Sequence, residues 1–213
     1  MTGEQERGLW LDTAHHADLA TFVERAQRLD DAAVIRLRQR SYGLLAAWTA
    51  TGFDVLASRV VHGRVRPADI SAGADALLRG LAAIDAAGHV DPGFPMDSAW
   101  RGALPPETGF VHLDDVPARA VLDLAQRGVE LSKEHGAQGP PVSLLDQEVV
   151  GVEGPAGSVG IPMRCVFALT AMGFVAPDAA DEIVRVRVLP AWLRIDARFG
   201  SVYRRRGDPL LLM

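Results

Sequence analysis

Residues 34–62 read VIRLRQRSYGLLAAWTATGFDVLASRVVH and alternate between apolar and polar side chains over most of their length. A period of two predicts β-strands, because successive side chains of a strand point to opposite faces of the sheet. Turn-forming residues at Ser41-Tyr42-Gly43 and Thr51-Gly52 divide the stretch. The predicted strands are Val34–Arg40, Leu44–Thr49 and Asp54–His62. Short turns between neighbouring strands favour an antiparallel meander.

Two helices are predicted around this meander. The first starts at Asp12 or Thr13, which are good N-cap residues, and continues to Arg28 with its apolar residues on one stripe. The second runs from Pro67 to Gly88. Because glycine costs a helix about 1 kcal/mol relative to alanine, Gly73 and Gly80 within it indicate close approach to a neighbouring element.

The second half of the chain repeats the mixture of helices and strands. Four prolines and the lack of any period predict a long loop from Gly88 to His112. Asp114 or Asp115 is expected to cap a helix that has Pro117 in its first turn and ends at Gly136. Further elements follow: a hairpin of Glu148–Val152 and Ser158–Ile161, a helix over Pro162–Met172, and strands at Ile183–Leu189, Trp192–Arg198 and Ser201–Arg205.

This order of elements predicts an α+β protein with antiparallel sheets. It runs αβββα in the first half and αββαββ in the second, with a further strand at the end, and adjacent strands in sequence are typical of that class. The central loop suggests two subdomains, residues 1–87 and 113–213, connected by the Pro-rich residues 88–112. The apolar end Leu210–Met213 is a candidate for docking in cis or in another subunit.

The net charge, the apolar runs and the cysteine count argue against several classes of protein. The 213 residues carry a formal net charge of −5, which argues against a protein that coats nucleic acid through bulk charge. The N-terminal residues have no apolar signal sequence, and the longest apolar run is too short to span a bilayer. The chain has one cysteine, Cys165, so it forms no intramolecular disulfide. We predict a cytoplasmic protein without membrane segment, metal site or cofactor.

Arginine placement is the first candidate binding feature. Lys133 is the single lysine among 22 basic side chains, and several arginines alternate along predicted strands. A guanidinium forks onto carboxylate or phosphate, so such a strand face is a candidate anion or nucleic-acid surface, or simply a solvated face. The candidate residues are Arg36, Arg38, Arg40, Arg185, Arg187, Tyr203, Arg204, Arg205 and Arg206.

The central loop is the second candidate binding feature. It contains Phe94, Met96, Trp100 and Arg101, residue types that are enriched in protein interfaces. Loops carry binding residues more often than the elements they connect. The alternative is that Phe94 and Trp100 hold the loop on the core. The sequence favours neither interpretation over the other.

Three patterns that resemble catalytic motifs have simpler structural explanations. The glycines of Gly151–Gly160 lack the lysine of a phosphate-binding loop and fit a hairpin turn. His15 and His16 point about 100° apart on a helix, which favours a solvated helix start over a metal site. Cys165 has apolar neighbours and no partner base, which favours an inert core thiol.

Two phrases carry a resemblance to known sequences. Gly52-Phe53-Asp54-Val55-Leu56 and Asp97-Ser98-Ala99-Trp100-Arg101-Gly102 resemble an uncharacterised conserved protein family of high-GC actinobacteria. The resemblance covers most of the chain and implies no activity or functional residues.

The functional prediction is a non-catalytic cytoplasmic protein that binds another protein through the central loop and an arginine-lined sheet face. A nucleic-acid-binding protein that uses the arginine strands is the first alternative. An enzyme with an unrecognised site is the second.

Overall fold

A computed structural model of the chain describes residues 7–134, 140–155, 157–178 and 181–207. The backbone forms two compact units, one of Met1–Gly52 with Ser58–Ala103 and the other of Phe53–Ala57 with Leu104–Met213. The predicted division at residues 87 and 113 stays a prediction. The apolar segment Leu210–Met213 lies outside the described residues.

The first unit is an antiparallel sheet with two helices. Its elements are β1 (Gly8–Leu11), α1 (Thr13–Leu29), β2 (Val34–Gln39), β3 (Leu44–Ala50), most of β4 (Leu56–Arg66), β5 (Asp69–Gly73), α2 (Ala74–Ala82) and β6 (His89–Val90). The strand order is β5-β2-β3-β4, and β1 pairs with both β4 and β6. The meander predicted from residues 34–62 is confirmed by β2, β3 and β4.

Helix α1 follows the sequence prediction closely. The Asp12 side chain caps it by accepting a hydrogen bond from the Ala14 N–H at 3.2 Å. Its buried residues are Leu19, Phe22, Val23 and Ala26, which form one apolar stripe. The inward-facing Ile35 and Leu37 of β2 are fully buried, as the alternation predicts.

The second unit combines a four-stranded antiparallel sheet with a separate hairpin and three helices among its described residues. Its elements are β7 (Val111–Pro117), α3 (Ala118–Glu134), α4 (Val142–Leu145), β8 (Glu148–Gly154), β9 (Gly157–Pro162), α5 (Met163–Ala171), β10 (Ile183–Leu189), β11 (Trp192–Ala197) and β12 (Gly200–Arg205). The order is β12-β11-β10-β7, and β8 pairs with β9. The predicted hairpin, apolar helix and C-terminal strands are confirmed.

The fold class is α+β with antiparallel sheets, as predicted, but two helix predictions are wrong in their first turns. Residues 69–73 form strand β5, which pairs with β2, and α2 starts only at Ala74. Asp114 and Asp115 lie inside strand β7, which pairs with β10, and α3 starts at Ala118. In both places strand pairing with a distant segment overrides the local helical signals.

The structure also contains short elements that were not predicted. Strand β1 precedes α1, and β6 lies within the predicted central loop. Helix α4 is a single short turn. No helix of the described residues is long and apolar enough to cross a membrane.

Candidate protein-interaction site

The central loop is fixed to the edge of the first unit's sheet by backbone hydrogen bonds. Strand β5 lies at the end of the strand order, and its Ser71 is buried. The Met96 N–H donates to the Ser71 carbonyl oxygen at 2.9 Å, and the Ser71 N–H donates to the Asp97 carboxylate at 2.6 Å. These bonds satisfy backbone groups that an open sheet edge leaves unpaired.

A second set of contacts fixes the start of the loop. The Arg7 guanidinium donates to the Gly93 carbonyl oxygen, and to that of Ser71 at 2.7 Å. The Asp91 side chain accepts a hydrogen bond from the Gly93 N–H at 2.9 Å. Gly93 has a φ of 78°, in the left-handed region that favours glycine. The loop is therefore held on both sides of Phe94.

Phe94 itself is 90% exposed, in contrast to its anchored neighbours. Met96 is half-buried, and its sulfur lies close to Gly73. Arg101 is exposed. The structure thus separates the two roles that the sequence weighed equally: the backbone around Met96 and Asp97 holds the loop, while Phe94 faces solvent.

Trp100 is half-buried and lies beside Arg36, which is paired with Asp69. The Arg36 guanidinium is 5.7 Å from the Trp100 ring centroid, which is a cation–π distance. The Trp100 indole N–H donates to the Gly102 carbonyl oxygen at 3.1 Å. These contacts connect the end of the loop to strand β2.

Arg36 is neutralised within the sheet. Its guanidinium forms two hydrogen bonds of 2.7 Å to the Asp69 carboxylate, and this pairing raises the pKa of Arg36 above its ordinary value. Arg38 also lies 4.0 Å from Asp69. Asp69 therefore offsets part of the positive charge that the sequence places on β2.

The arginines of the second unit are similarly engaged with their surroundings. Arg187 lies 3.1 Å from Asp196, and Arg185 is in register with both Asp115 and Asp196 on the neighbouring strands. Arg204 lies 3.4 Å from Asp146. The predicted arginines of β2 and those of the C-terminal strands belong to different units, and in each set an arginine is paired with a carboxylate of its own unit.

Residues Tyr203–Arg205 belong to strand β12, and Arg206 follows directly after its end. Tyr203 is only 6% exposed and packs edge-on against Phe110 with a centroid distance of 6.0 Å. Arg205 lies 5.5 Å from the Trp192 ring, and Arg206 donates to the Leu189 carbonyl oxygen at 3.4 Å. The buried Tyr203 ring does not offer a free face for base stacking.

Cys165, His15 and His16, the residues considered as a nucleophile or as metal ligands, are packed against or bonded to other parts of the protein. Burial raises the pKa of the Cys165 thiol to about 12, although Arg204 and Arg164 act in the opposite direction. The His15 and His62 rings lie 4.9 Å apart and are tilted by 39°, and His16 Nε2 is hydrogen-bonded to the Leu81 carbonyl oxygen at 2.8 Å. The described residues contain no group of three or more His, Cys, Asp or Glu side chains that could hold a metal ion.

A groove in the first unit was not singled out by the sequence. Its volume is about 510 Å³, and its lining residues are Gln39, Gly43, Arg64, Val65, Arg66, Pro67 and Ala68. Two separate stretches of the chain, residues 39–43 and 64–68, meet here only through the sheet, so no sequence motif marks the groove. We call this site the β4–β5 groove, because Arg64–Arg66 end β4 and Pro67-Ala68 lead into β5.

Comparisons with known proteins match the chain to families without assigned function. Residues 4–102 match the family model DUF8010 and residues 105–209 match DUF8185, each described as a domain of unknown function. The two matched ranges meet where the second unit resumes at Leu104. No curated protein matches the sequence. The resemblance to actinobacterial proteins stays a prediction.

The fold is similar to that of solved bacterial sliding clamps. The DNA polymerase sliding clamp of Bacillus subtilis matches with a TM-score of 0.60 at 10% identity, over 99% of this chain and 68% of the clamp. The sliding clamp (DNA polymerase III subunit beta) of Bartonella birtlesii, bound to griselimycin, matches with a TM-score of 0.57 at 12% identity, over 95% and 66%. The DNA polymerase sliding clamp of Caulobacter crescentus matches with a TM-score of 0.56 at 12% identity, over 97% and 67%. The chain thus spans about two thirds of the length of these clamps and has a sliding-clamp-like fold.

Proposed function

We propose that this protein is a non-catalytic interaction protein that binds another protein through the loop Phe94–Arg101. The observation that carries the proposal is the 90% exposure of Phe94 on a loop that is hydrogen-bonded on both sides. A large aromatic side chain costs free energy when it is held in water, and a protein surface can bury it. A fixed loop also loses little conformational entropy when it binds.

The residues around Phe94 fit such an interface. Met96 and Trp100 are half-buried, and Arg101 is exposed at the end of the loop. Aromatic residues, methionine and arginine are the types enriched in protein interfaces. Protein binding is further supported by the similar solved structures, one of which is named as a subunit of DNA polymerase III. A cytoplasmic location remains part of the proposal.

Replacement of Phe94 tests the proposal. We expect Phe94→Ala to leave the melting temperature unchanged and to weaken partner binding by roughly 2 kcal/mol, or about 30-fold, because a central aromatic anchor is lost. The partner is first captured from a lysate by a photocrosslinking side chain at position 94, and its affinity is then measured with purified proteins.

Val142→Ala is the matched control, since Val142 is 69% exposed and lies in the other unit. It is expected to bind the partner like the original chain. Asp97→Ala removes the acceptor for the Ser71 N–H, so it should weaken binding indirectly by releasing the loop. Full binding by Phe94→Ala would refute the proposal.

Nucleic-acid binding is a second candidate, favoured by the names of the similar structures, which are DNA polymerase clamps. It would use the arginines of Arg204–Arg206 and of β10 in the second unit, or those of β2 in the first. Fluorescence anisotropy with labelled DNA and RNA at low and moderate salt tests it, because phosphate contacts make affinity fall steeply with salt. Replacement of Arg204, Arg205 and Arg206 by glutamine should flatten that dependence, and absence of binding at low salt removes this candidate.

A further inference from the structure

The β4–β5 groove has a fixed floor. The Gln39 side chain accepts a hydrogen bond from the Val65 N–H at 2.9 Å and donates to the Leu44 carbonyl oxygen at 2.9 Å. The Gln39 N–H also donates to the Ala68 carbonyl oxygen at 2.7 Å. One side chain thus connects β2, β3 and β4, so the groove exists before any ligand arrives.

The charge of the groove is positive. Arg64 and Arg66 line it, and the part of the chain that the structure describes contributes no acidic residue to its lining. The Arg64 guanidinium lies 4.9 Å from the Trp10 ring centroid, which orients it without neutralising it. Both arginines are exposed, and no ion pair connects either one to a carboxylate among the described residues. They contrast with Arg36, which is paired with Asp69 on the same unit.

The rest of the groove is suited to an apolar group. Pro67 and Ala68, both exposed, contribute aliphatic surface beside the two arginines, whereas the Val65 side chain is buried on the opposite face of the strand. A volume of about 510 Å³ is in the usual range for small-ligand and side-chain pockets. A ligand that satisfies both parts of the lining carries carboxylates next to an apolar side chain.

Tyr42 stands beside the groove, next to the lining residue Gly43. It is 95% exposed and has a φ of 62° and a ψ of 31°, the left-handed region in which a tyrosine is strained. At this exposure the Tyr42 side chain buries almost no surface within the fold. It does offer a bound chain an apolar contact at the edge of the groove.

From these observations we propose that the β4–β5 groove binds an acidic peptide segment that carries an aromatic or large aliphatic side chain. Arg64 and Arg66 bind its carboxylates, and the exposed surface of Pro67 and Ala68 takes its apolar side chain. The mixed lining favours a peptide over a nucleic acid, because a phosphate backbone would leave the apolar surface unused and would meet only two unpaired guanidiniums. The site is separate from the Phe94–Arg101 loop and does not depend on the function proposed for it.

The test uses a fluorescein-labelled peptide of glutamates interrupted by two phenylalanines as the probe. Its affinity for the full chain is measured by anisotropy at low salt, and the binding site is located from backbone amide shifts in NMR spectra. We expect binding with shifts at Gly43 and Ala68. The double replacement Arg64→Gln with Arg66→Gln should weaken binding about tenfold or more, the equivalent of one lost charge-assisted pair.

Arg79→Gln with Arg119→Gln is the matched control, because it removes the same charge from exposed arginines outside the groove. It should bind the probe within about twofold of the original chain, as distant surface charges are screened. Thermal melting shows that each variant is folded. Arg66→Gln alone is the second variant, since Arg66 has no aromatic contact with the described residues like that of Arg64.

Either of two results with the original chain would overturn the proposal: no binding of the probe at low salt, or equal binding of a peptide with lysines in place of the glutamates. Full binding by the Arg64→Gln and Arg66→Gln double variant, or displacement of the probe by an oligothymidylate that binds more tightly, would do the same. Shifts confined to residues 91–101 would also overturn it and would instead support the loop as the only peptide site. Loss of partner binding in Phe94→Ala with unchanged probe binding keeps the two proposals distinct.

Discussion

The Arg164 guanidinium donates a hydrogen bond of 2.7 Å to the backbone carbonyl oxygen of Phe53, 111 positions away in the chain. Arg164 lies in helix α5 and is only 7% exposed. Its other terminal nitrogen donates to the Asp146 carboxylate at 2.5 Å. Residues 53–57 belong to the second unit although the chain on both sides of them belongs to the first, and Arg164 helps to hold Phe53 there together with Phe167, whose ring centroid is 5.8 Å from that of Phe53.

Removal of this side chain should destabilise the protein. We expect Arg164→Ala to lower the free energy of unfolding by about 2–3 kcal/mol, because the part-buried Phe53 carbonyl oxygen loses its donor, Asp146 keeps only the longer contact with Arg204, and a cavity remains. Chemical denaturation of the full chain measures the change. Arg119→Ala is the control: Arg119 is 67% exposed and 3.8 Å from Asp181, so its loss should cost less than about 0.5 kcal/mol. Equal stability of the two variants would contradict the anchoring role.

Gly80 in helix α2 lies directly against the start of the central loop. A β-carbon at this position would be 1.9 Å from the Asp91 carbonyl oxygen, which is a backbone atom. We therefore expect Gly80→Ala to destabilise the protein by about 2 kcal/mol, although alanine gains about 1 kcal/mol in helix propensity. It should also weaken binding of the partner captured at position 94, because Asp91 orients Gly93 next to Phe94.

Gly52→Ala is the control for that substitution, since a β-carbon at Gly52 would meet no atom within 4 Å and the φ of this residue is not positive. It should change the stability by less than about 0.5 kcal/mol. Thermal melting compares the two variants, and a Gly80→Ala protein as stable as Gly52→Ala would show that the loop can move away from the helix.

The local parts of this fold could be predicted, while its long-range pairings could not. The alternation in β2 and β10 identified them as strands, and the interior glycine of α2 indicated the close approach seen at Gly80. Strand β1 has four residues, too few for a period, and exists because Leu9 pairs with Val65. Strand β5 leads directly into α2 without a turn, so its pattern merges with that of the helix.

For the candidate sites, too, the sequence predicted local features but not long-range contacts. Residue types predicted the loop with Phe94 and Trp100 as a candidate site, whereas the exposure of Phe94, the partial burial of Trp100 and the hydrogen bonds of the loop to Ser71 became visible only in the structure. The alternating arginines of β2 suggested an anion site, whereas Asp69, a cross-strand neighbour, pairs with Arg36. Arg64 and Arg66 meet Gly43 only in the folded sheet, so the β4–β5 groove could be found only in the structure.

The Cys165 thiol should be unreactive in the folded protein at neutral pH. Burial raises its pKa from an ordinary 9.0 to about 12, so the reactive thiolate is scarce. We expect a thiol reagent such as iodoacetamide to modify Cys165 only after unfolding. Rapid modification of the native chain at neutral pH would contradict this.

The same shift in pKa predicts a pH dependence of stability. Below about pH 9 the Cys165 thiol is protonated in both the folded and the unfolded chain, so it adds no pH dependence to the free energy of unfolding. Between about pH 9 and 12 the unfolded chain releases a proton that the folded chain retains. The free energy of unfolding therefore falls as pH rises, by up to about 1.4 kcal/mol per pH unit. Unfolding of the original chain and of Cys165→Ala is compared across this range. The difference between them should change with pH above about 9 and stay constant below it.

The strained turn at Tyr42 predicts a substitution that stabilises the fold. A residue with a side chain pays about 1 kcal/mol for a left-handed backbone, and Tyr42, at 95% exposure, has almost no packing to lose. We expect Tyr42→Gly to raise the free energy of unfolding by about 0.5–1 kcal/mol, whereas Tyr42→Ala keeps the strain and should leave it unchanged. Both variants should bind the glutamate–phenylalanine probe more weakly, since both lack the ring. Opposite effects on stability and binding in Tyr42→Gly would identify the tyrosine as a binding residue, while a loss of stability in that variant would show that the ring supports the fold.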